Sequence, residues 1–456
     1  MTHFDIIIIG SGGGSKITRP AASLGLKVAI IEKDSLGGTC LNRGCIPSKM
    51  LIHPADIIQE IKEASKFDIH IDKTIKVDSK KLVKRVSKTV QEESSSIEPL
   101  YEKNPNITYF KGCAEFTENK VIRINNQRIS ADTIVIAAGA RPYIPNIEGI
   151  ESTPYWTSTE ALKSTEIPKR LVVIGGGYIA CELGYYFQSM GSKVTFLVRS
   201  ECLRPEDDDI KEEFHKTFSK SHTIIKDASP TKINYIQNKF IISYSCKNTV
   251  HEIEAEQCLM ATGITPNTDT LKCENTDISL SKSGYINVNN TLETNIKGIY
   301  AFGDIIGRYF FRHSANFEGD YVFNRHIKKS ISKNIEYPPM PHAVFTNPQV
   351  AGVGKREKEC IAENIDYYCG INAYKDSAMG MALLSDHGFV KLIFQKNNDR
   401  LIGAHIIGKE ASNMIHMLIV AINLKATRQD LFNMIYVHPA LPEIVRNAVR
   451  NAKKDK

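Results

Sequence analysis

No stretch of this chain approaches the roughly 18 consecutive apolar residues that a helix needs to cross a bilayer, which excludes a membrane-spanning helix. No basic leader or cleavage site precedes the opening "MTHFDIIIIG", and the expected setting is soluble and cytoplasmic. Long basic stripes are absent too. The net charge of +7 is dispersed over short Lys and Arg clusters, which argues against a nucleic-acid partner and leaves a diffuse positive surface suited to anionic ligands. No low-complexity tract interrupts the chain. Closely spaced cysteines are scarce: of ten, Cys113, Cys181, Cys202, Cys246, Cys258, Cys273, Cys360 and Cys369 are scattered, and only Cys40 and Cys45 lie near one another. That spacing excludes a secreted disulfide framework and points to a reducing compartment with one special pair. A zinc site would need two further ligands at close spacing, and none is found, so no metal is expected.

What is present is a globular chain of 456 residues, 42% hydrophobic and 24% charged, enough for about three domains. "DIIIIG" followed by "SGGGSKITRPAASLGLKVAIIEKD" predicts strand, glycine turn, helix, strand, the opening unit of a doubly wound sheet. The same order returns in "RLVVIGGGYIACELGYYFQSMGSKVTFLVRS" at 170–200, an internal repeat that predicts two bound nucleotides. Residues 79–103 have helical spacing and many charges, which predicts an exposed helix. "TIVIAAGARPYIPNIEGI" and "QCLMATGITPNTD" are strands that end in Gly- and Pro-punctuated links, marking the edges of the inserted second unit. From "YPPMPHAVF" onward, strands such as "FVKLIF" and "LIGAHIIG" give way to helical patterns, as in a separate α+β domain.

In the first turn, Gly10, Gly12 and Gly14 let backbone approach a pyrophosphate at a helix N-terminus, where unpaired N–H groups favour negative charge. Glu32, ending the second strand, is placed to accept from ribose hydroxyls. Ser15 departs from the usual Gly or Ala at the sixth motif position. The second turn carries Gly175, Gly177 and Ala180, but the tip of its second strand has Arg199, with Arg204 five residues on, where an NAD site keeps an acid. A guanidinium fork grips a 2′-phosphate, which predicts NADPH rather than NADH. The alternative is that both arginines are surface residues paired with the acidic run "EDDD" at 206–209.

The thiol pair lies in "GGTCLNRGCIPSK" at 37–49. In an ideal helix a five-residue step rises about 7.5 Å, beyond the roughly 4.4 to 6.8 Å between Cα atoms that a disulfide tolerates. A bridge therefore requires an irregular segment, which Gly44 would supply. A thiol at a helix start near Lys49 is expected to have a lowered pKa, as a redox thiolate needs.

"GGTCLNRGCIPSK" resembles the redox-active disulfide of the class I pyridine nucleotide-disulfide oxidoreductases, and the resemblance covers essentially the whole chain in that family's domain order. "TNIKGIYAFGDIIG" at 294–307 resembles the second FAD fingerprint, and "VHPALPEIV" at 437–445 the C-terminal signature. The resemblance implies an α/β fold with two doubly wound, Rossmann-like nucleotide-binding domains and a C-terminal α+β dimerisation domain. The implied division is FAD-binding 1–150, NAD(P)-binding 151–267, central 268–337 and interface 338–456. It further implies that NADPH, or NADH, reduces FAD, that the flavin reduces Cys40–Cys45, and that Cys40 attacks the substrate disulfide while Cys45 lies nearest the flavin. His438, oriented by Glu443, is the implied proton carrier, reaching the opposite subunit's cysteines in an obligate homodimer. Asp304, in the motif with Gly303, is implied to meet the flavin's ribityl hydroxyls. Lys49 and Glu182 match an ion pair beside the flavin, and Tyr178 matches a position that gates the nicotinamide pocket in some members. Thr39, Gly112, Gly139 and Gly263 complete the candidate cofactor-binding set.

The redox motif ends in "PSK" and "FRHSANFEG" carries His313, both similar to the dihydrolipoyl dehydrogenase version. Asp320 falls where glutathione reductases carry an arginine, and the chain ends without the terminal cysteine pair of mercuric reductase. Arg199, Arg204 and "HPALPE" are instead similar to mycothione reductase. Arg43 and Ile264 are further departures. The leading expectation is a dihydrolipoyl dehydrogenase-like enzyme acting on a small-molecule or lipoyl disulfide, compatible with docking to a 2-oxo-acid dehydrogenase complex. The alternative within the class is an NADPH-dependent reductase of a low-molecular-weight disulfide; outside it, a non-catalytic flavin-binding interaction protein.

Overall fold

The computed structural model describes residues 1–71 and 74–453. They fall into two compact units, one built from 1–50, 80–144 and 263–336, the other from 51–79, 145–262 and 337–456.

In the first unit, the strand Thr2–Ile9 pairs in parallel with Val28–Glu32 on one side and Gln127–Ile136 on the other. Ile107–Lys111 extends the parallel part at one edge, and Ile299–Ala301 pairs in parallel beside Ile134–Ile136. Val121–Ile124 and Ala114–Glu118 add an antiparallel flap. All five residues of Val28–Glu32 are buried, as expected for a parallel strand covered on both faces. The helix Ser11–Ser23 follows Gly10, whose φ of 98° places it in a region that favours glycine. A Cβ at Gly14 would lie 2.6 Å from Ile8 Cγ2, so this is where the helix touches the sheet. The departure at Ser15 does no harm, because its hydroxyl folds back and donates to Gly12 O at 2.8 Å.

The segment expected as an exposed helix at 79–103 is two helices, Ser79–Ser95 and Glu98–Glu102. The longer one is amphipathic rather than exposed: Leu82, Val83, Val86 and Val90 form a buried stripe, and Ser94 Oγ donates to Leu36 O at 2.7 Å.

The second unit contains the repeat. Thr223–Ile225, Lys193–Leu197, Arg170–Ile174 and Gln257–Met260 form a parallel sheet in that order, with the twelve-residue helix Tyr178–Ser189 between its first two strands in sequence. A three-stranded antiparallel sheet runs from Ala228 to Ala255. A five-stranded antiparallel sheet, ordered His342–Val344, Gln349–Gly354, Leu401–Gly408, Phe389–Gln395, Tyr367–Ala373, packs with the helices Ala411–Asn423 and Glu443–Asn451 around one apolar core.

Lys391, in "FVKLIF", is 1% exposed. Its ammonium donates to Asp207 at 2.7 Å, to Asp209 at 2.6 Å and to Glu357. Burial alone would lower the lysine's pKa, but the three carboxylates reverse that and raise it. Burial likewise pushes Asp207 up, and the lysine's hydrogen bond and charge pull it below the usual range. The Asp207 contribution is present above its unfolded pKa near ~4 and lost as pH falls through its folded value, whereas the Lys391 contribution is present below ~10.4 and lost as pH rises through its own. The clamp is therefore fully formed at neutral pH. Lys391→Met leaves the Asp207 carboxylate buried without a cation, and the urea midpoint is expected to fall by the equivalent of ~3–5 kcal/mol, with Asp207→Asn in the same chain recovering part of the loss.

Candidate active site

The thiols sit on two helices joined by a break. Gly38–Arg43 carries Cys40, and Cys45 opens Cys45–Glu63. Gly44 between them has φ −142° and ψ −117°, and a Cβ on it would lie 3.0 Å from Thr39 O and 3.4 Å from Cys40 Cα. The chain thus folds back on Cys40, the irregular segment that the spacing demanded. Both cysteines carry thiols here, and the Cys40 thiol is hydrogen-bonded to Cys45.

That hydrogen bond, then burial, then repulsion from Cys45 push Cys40 up, with Arg312 opposing. The lowering expected of a thiol at a helix start near Lys49 concerns Cys45, which opens its helix; Cys40 lies inside the preceding helix and is raised. In the reduced pair the two sulfurs share protons, and ionising the second thiol beside the first is disfavoured.

The segment is pressed onto the first glycine turn. Gly38 has φ +70°, and a Cβ on it would lie 2.5 Å from Gly12 Cα. Ser11 ties three elements together: its N–H and hydroxyl donate to Glu32 Oε2 at 2.9 and 2.8 Å, and its oxygen accepts from Gly37 N–H at 2.9 Å. Glu32 also accepts from Asp34 N–H. Arg43 reaches Asp34 at 2.8 Å, which gives that departure a local role.

Gly303, at φ +78°, donates its N–H to the fully buried Glu318 at 2.6 Å. Burial pushes the neighbouring Asp304 up to about 6. Gly112 donates its N–H to Glu32 O at 2.9 Å, Gly139 has φ +65°, and Thr39 lies exposed on the Cys40 helix. Gly263 accepts from Tyr143 N–H, and Ile264 pairs with Pro142. His313 stacks on Phe311 at 5.0 Å between ring centroids, and Asp320 pairs with Lys16 at 3.4 Å. A side-chain-free turn at Gly12–Gly38 together with a half-buried, weakly acidic carboxyl at Asp304 fits a dinucleotide.

In the second unit, Gly175 has φ +124°, and a Cβ there would lie 2.2 Å from Ala261 O. The loop after Lys193–Leu197 is fastened to this turn: Leu203 N–H donates to Gly176 O at 2.8 Å, and a Cβ at Gly176 would lie 3.1 Å from Cys202 Cα. Arg199 and Arg204 are exposed on that loop. The acids of 206–209 are engaged elsewhere: Glu206 by Tyr178 and His342, Asp207 and Asp209 by Lys391, Asp208 by Lys211. Among the described residues neither arginine is ion-paired, so the alternative pairing with the acidic run does not occur. Gly177 caps the helix that begins at Tyr178, Ala180 is buried on it, and buried Glu182 accepts from Phe345 N–H at 3.1 Å. Lys49 lies in the first unit and Glu182 in the second.

His438 is 69% exposed, while Glu443, the first residue of its helix, is 2% exposed. His438 Nδ1 lies 3.1 and 3.0 Å from the two Glu443 oxygens, which also receive Ala440 N–H at 3.2 Å and Arg446 at 2.8 Å. Burial would raise Glu443, but His438, the Ala440 N–H and Arg446 outweigh it and hold the carboxyl below its usual range. An anionic partner on Nδ1 leaves Nε2 to carry a proton outward. For three residues the sequence does not show the partner. Arg312, within "FRHSANFEG", acts on Cys40 from 272 positions away, and Glu206, part of the acidic run, meets His342 across 136 positions with no local signal.

Two glycine turns, a folded-back thiol pair and a carboxylate-held histidine define a flavoprotein disulfide reductase. The chain belongs to the pyridine nucleotide-disulphide oxidoreductase family, whose profile matches residues 4–319, and the dimerisation domain of that family matches residues 340–449. Mycothione reductase of Mycobacterium tuberculosis is 33% identical over 98% of this chain and 99% of its own length. Dihydrolipoyl dehydrogenase of Buchnera aphidicola is 33% identical over 97% of this chain and 94% of its own. The Cu(II) complex of the HOCl-induced flavoprotein disulfide reductase RclA from Escherichia coli superposes with a TM-score of 0.88 at 26% identity, covering 99% of both chains. The chain is thus an FAD-dependent NAD(P)H disulfide oxidoreductase. No helix among the described residues is long and apolar enough to cross a membrane.

The Cys40 environment makes two opposite predictions. Cys45→Ala removes the largest cause of the raised Cys40 value, so the pH at which Cys40 alkylates with iodoacetamide falls; Arg312→Met removes the opposing cation, and that pH rises. Mass spectrometry of the Cys40 peptide across a pH series reads both.

Proposed function

We propose that this chain is a cytoplasmic, homodimeric reductase that draws electrons from NADPH and delivers them to a disulfide substrate through Cys40 and Cys45. One observation carries the coenzyme choice: the loop bearing unpaired Arg199 and Arg204 is hydrogen-bonded to the second glycine turn through Leu203 and Gly176. Two guanidinium forks beside a nucleotide turn suit a 2′-phosphate.

When bound, FAD relays electrons between the nicotinamide and the thiol pair. Gly12, Gly38, Glu32 and Asp304 would hold it. In the reduced enzyme, Cys40 as thiolate attacks one sulfur of the substrate disulfide, forming a mixed disulfide and expelling one thiolate. His438, protonated at Nε2 and held at Nδ1 by Glu443, gives that thiolate its proton. Cys45 then attacks Cys40, releasing the second substrate thiol and closing the Cys40–Cys45 disulfide. The exposed apolar side chains of Phe432, Met434, Ile435 and Val437 around exposed His438 support a partner subunit covering this edge.

For the substrate, Asp320 held by Lys16 presents no cation to a glutathione carboxylate. The name of the mycothione reductase relative supports a low-molecular-weight thiol disulfide. The second reading, dihydrolipoamide oxidation within a 2-oxo-acid dehydrogenase complex, is favoured by the "PSK" ending of the redox motif.

Anaerobic titration with NADPH and NADH separately, followed by turnover on lipoamide, glutathione disulfide and other thiol disulfides, tests these readings. A long-wavelength absorbance band forming with NADPH in preference to NADH is the expected result; a band with NADH alone overturns the coenzyme choice, and none with either overturns the enzyme. Arg199→Met with Arg204→Met is expected to raise KM for NADPH by ~10- to 100-fold while leaving KM for NADH within about threefold.

A further inference from the structure

The second glycine turn has a companion to which the electron path above gives no role. Glu206 is fully buried on the loop that carries Arg204. Its Oε1 accepts from Tyr178 Oη at 2.5 Å, and its Oε2 lies 2.8 Å from His342 Nε2. The Tyr178 and His342 rings face one another at 5.9 Å between centroids and 21° between planes. Tyr178 is the first residue of the helix leaving the turn, and His342 begins a strand of the five-stranded sheet. The carboxylate thus joins three segments far apart in sequence.

A buried acid in such a place is costly unless it is well satisfied. Burial pushes Glu206 up, yet the charge and hydrogen bond of His342 and the hydroxyl of Tyr178 hold it below the ordinary range. The neighbouring groups reinforce the arrangement. Arg356 donates to Pro205 O and pairs with Glu359, and its charge is felt at Tyr178. His405, fully buried, donates from Nε2 to Lys355 O at 2.9 Å, and its Nδ1 lies 3.1 Å from a Cβ built at Gly352, beside His342. Asp207, the next residue, is fixed by Lys391. The Tyr178 ring is therefore held at its hydroxyl by a carboxylate that is immobilised from two sides.

We infer that Glu206 is a positioning residue for the nicotinamide end of the coenzyme site, acting with His342 to hold the Tyr178 ring in one orientation at the second glycine turn. This rests on that turn receiving the coenzyme. Hydride transfer needs the ring beside the turn to be settled before the nucleotide arrives, since a mis-set group at a reacting centre reduces rate far more than affinity. The arginine loop, which recognises the adenosine end, keeps two further anchors, Leu203 N–H to Gly176 O and Lys391 to Asp207, and these hold it when the latch alone is cut.

The test compares Tyr178→Phe, Glu206→Leu, Glu206→Gln and the Tyr178→Phe/Glu206→Leu double variant in the flavin-loaded enzyme. The rate of flavin bleaching at saturating NADPH is read by stopped flow, and the inhibition constant of 2′,5′-ADP is read alongside it. Loss of the hydroxyl–carboxylate bond is expected to slow bleaching by about tenfold in Tyr178→Phe and in Glu206→Leu, with the double variant no slower than either. Glu206→Gln keeps an acceptor for Tyr178 Oη, and its rate stays within about threefold of wild type, with the 2′,5′-ADP constant unmoved throughout. Tyr178→Phe and Glu206→Gln carry the comparison if Glu206→Leu does not fold. Rates in both single variants equal to wild type, losses that multiply in the double variant, or a weakened 2′,5′-ADP constant overturn this inference alone. A wild-type flavin bleached by neither NADPH nor NADH overturns the functional reading together with it.

Discussion

The first unit depends on one place where backbone meets backbone without room for a side chain. Gly38 stands so close to Gly12 that any Cβ there would collide with the opposing Cα. Because Gly38 also starts the helix of Cys40, the turn that opens the first helix and the segment that bears the thiols are held as one piece. Ser11 reinforces this by bonding at once to Glu32 and to Gly37. The redox pair is thereby set by the same few residues that form the nucleotide turn, and the geometry at Cys40 follows from the geometry at Gly12.

Much of this was legible in the sequence because it is written locally. Strand, glycine turn, helix and strand follow each other within thirty residues at both repeats, and periodicity and glycine position report them directly. The thiol pair was equally plain, as was the need for Gly44 to break the helix. What local pattern could not report were bonds between distant residues. Lys391 sits in an apolar strand pattern as an ordinary interruption, and its three acids come from 182 to 184 positions upstream and from 34. The buried stripe Leu82, Val83, Val86, Val90 was masked by the charges around it. The raised Cys40 value comes chiefly from Cys45, a proton-sharing effect that a helix-start argument omits.

The acidic run at 206–209 joins these themes. In the sequence its pairing with the arginines is the alternative to a 2′-phosphate site; in the fold its members face other partners and leave the arginines unpaired among the described residues. Glu206 turns toward Tyr178 and His342, while Asp207 and Asp209 turn toward Lys391. One short loop thus presents cations outward and carboxylates inward, with the inward set fastening it to the five-stranded sheet.

Asp207, Asp209 and Glu357 bring three carboxylate oxygens within reach of one point, an arrangement that in other proteins receives a calcium ion. Here the ammonium of Lys391 stands at that point, attached to the chain by its own covalent stem. Such a cation cannot be removed by a chelator, diluted away or exchanged for a neighbour in the Irving–Williams order. The junction between loop and sheet consequently needs no free metal ion to close it, and it answers to pH rather than to a chelator.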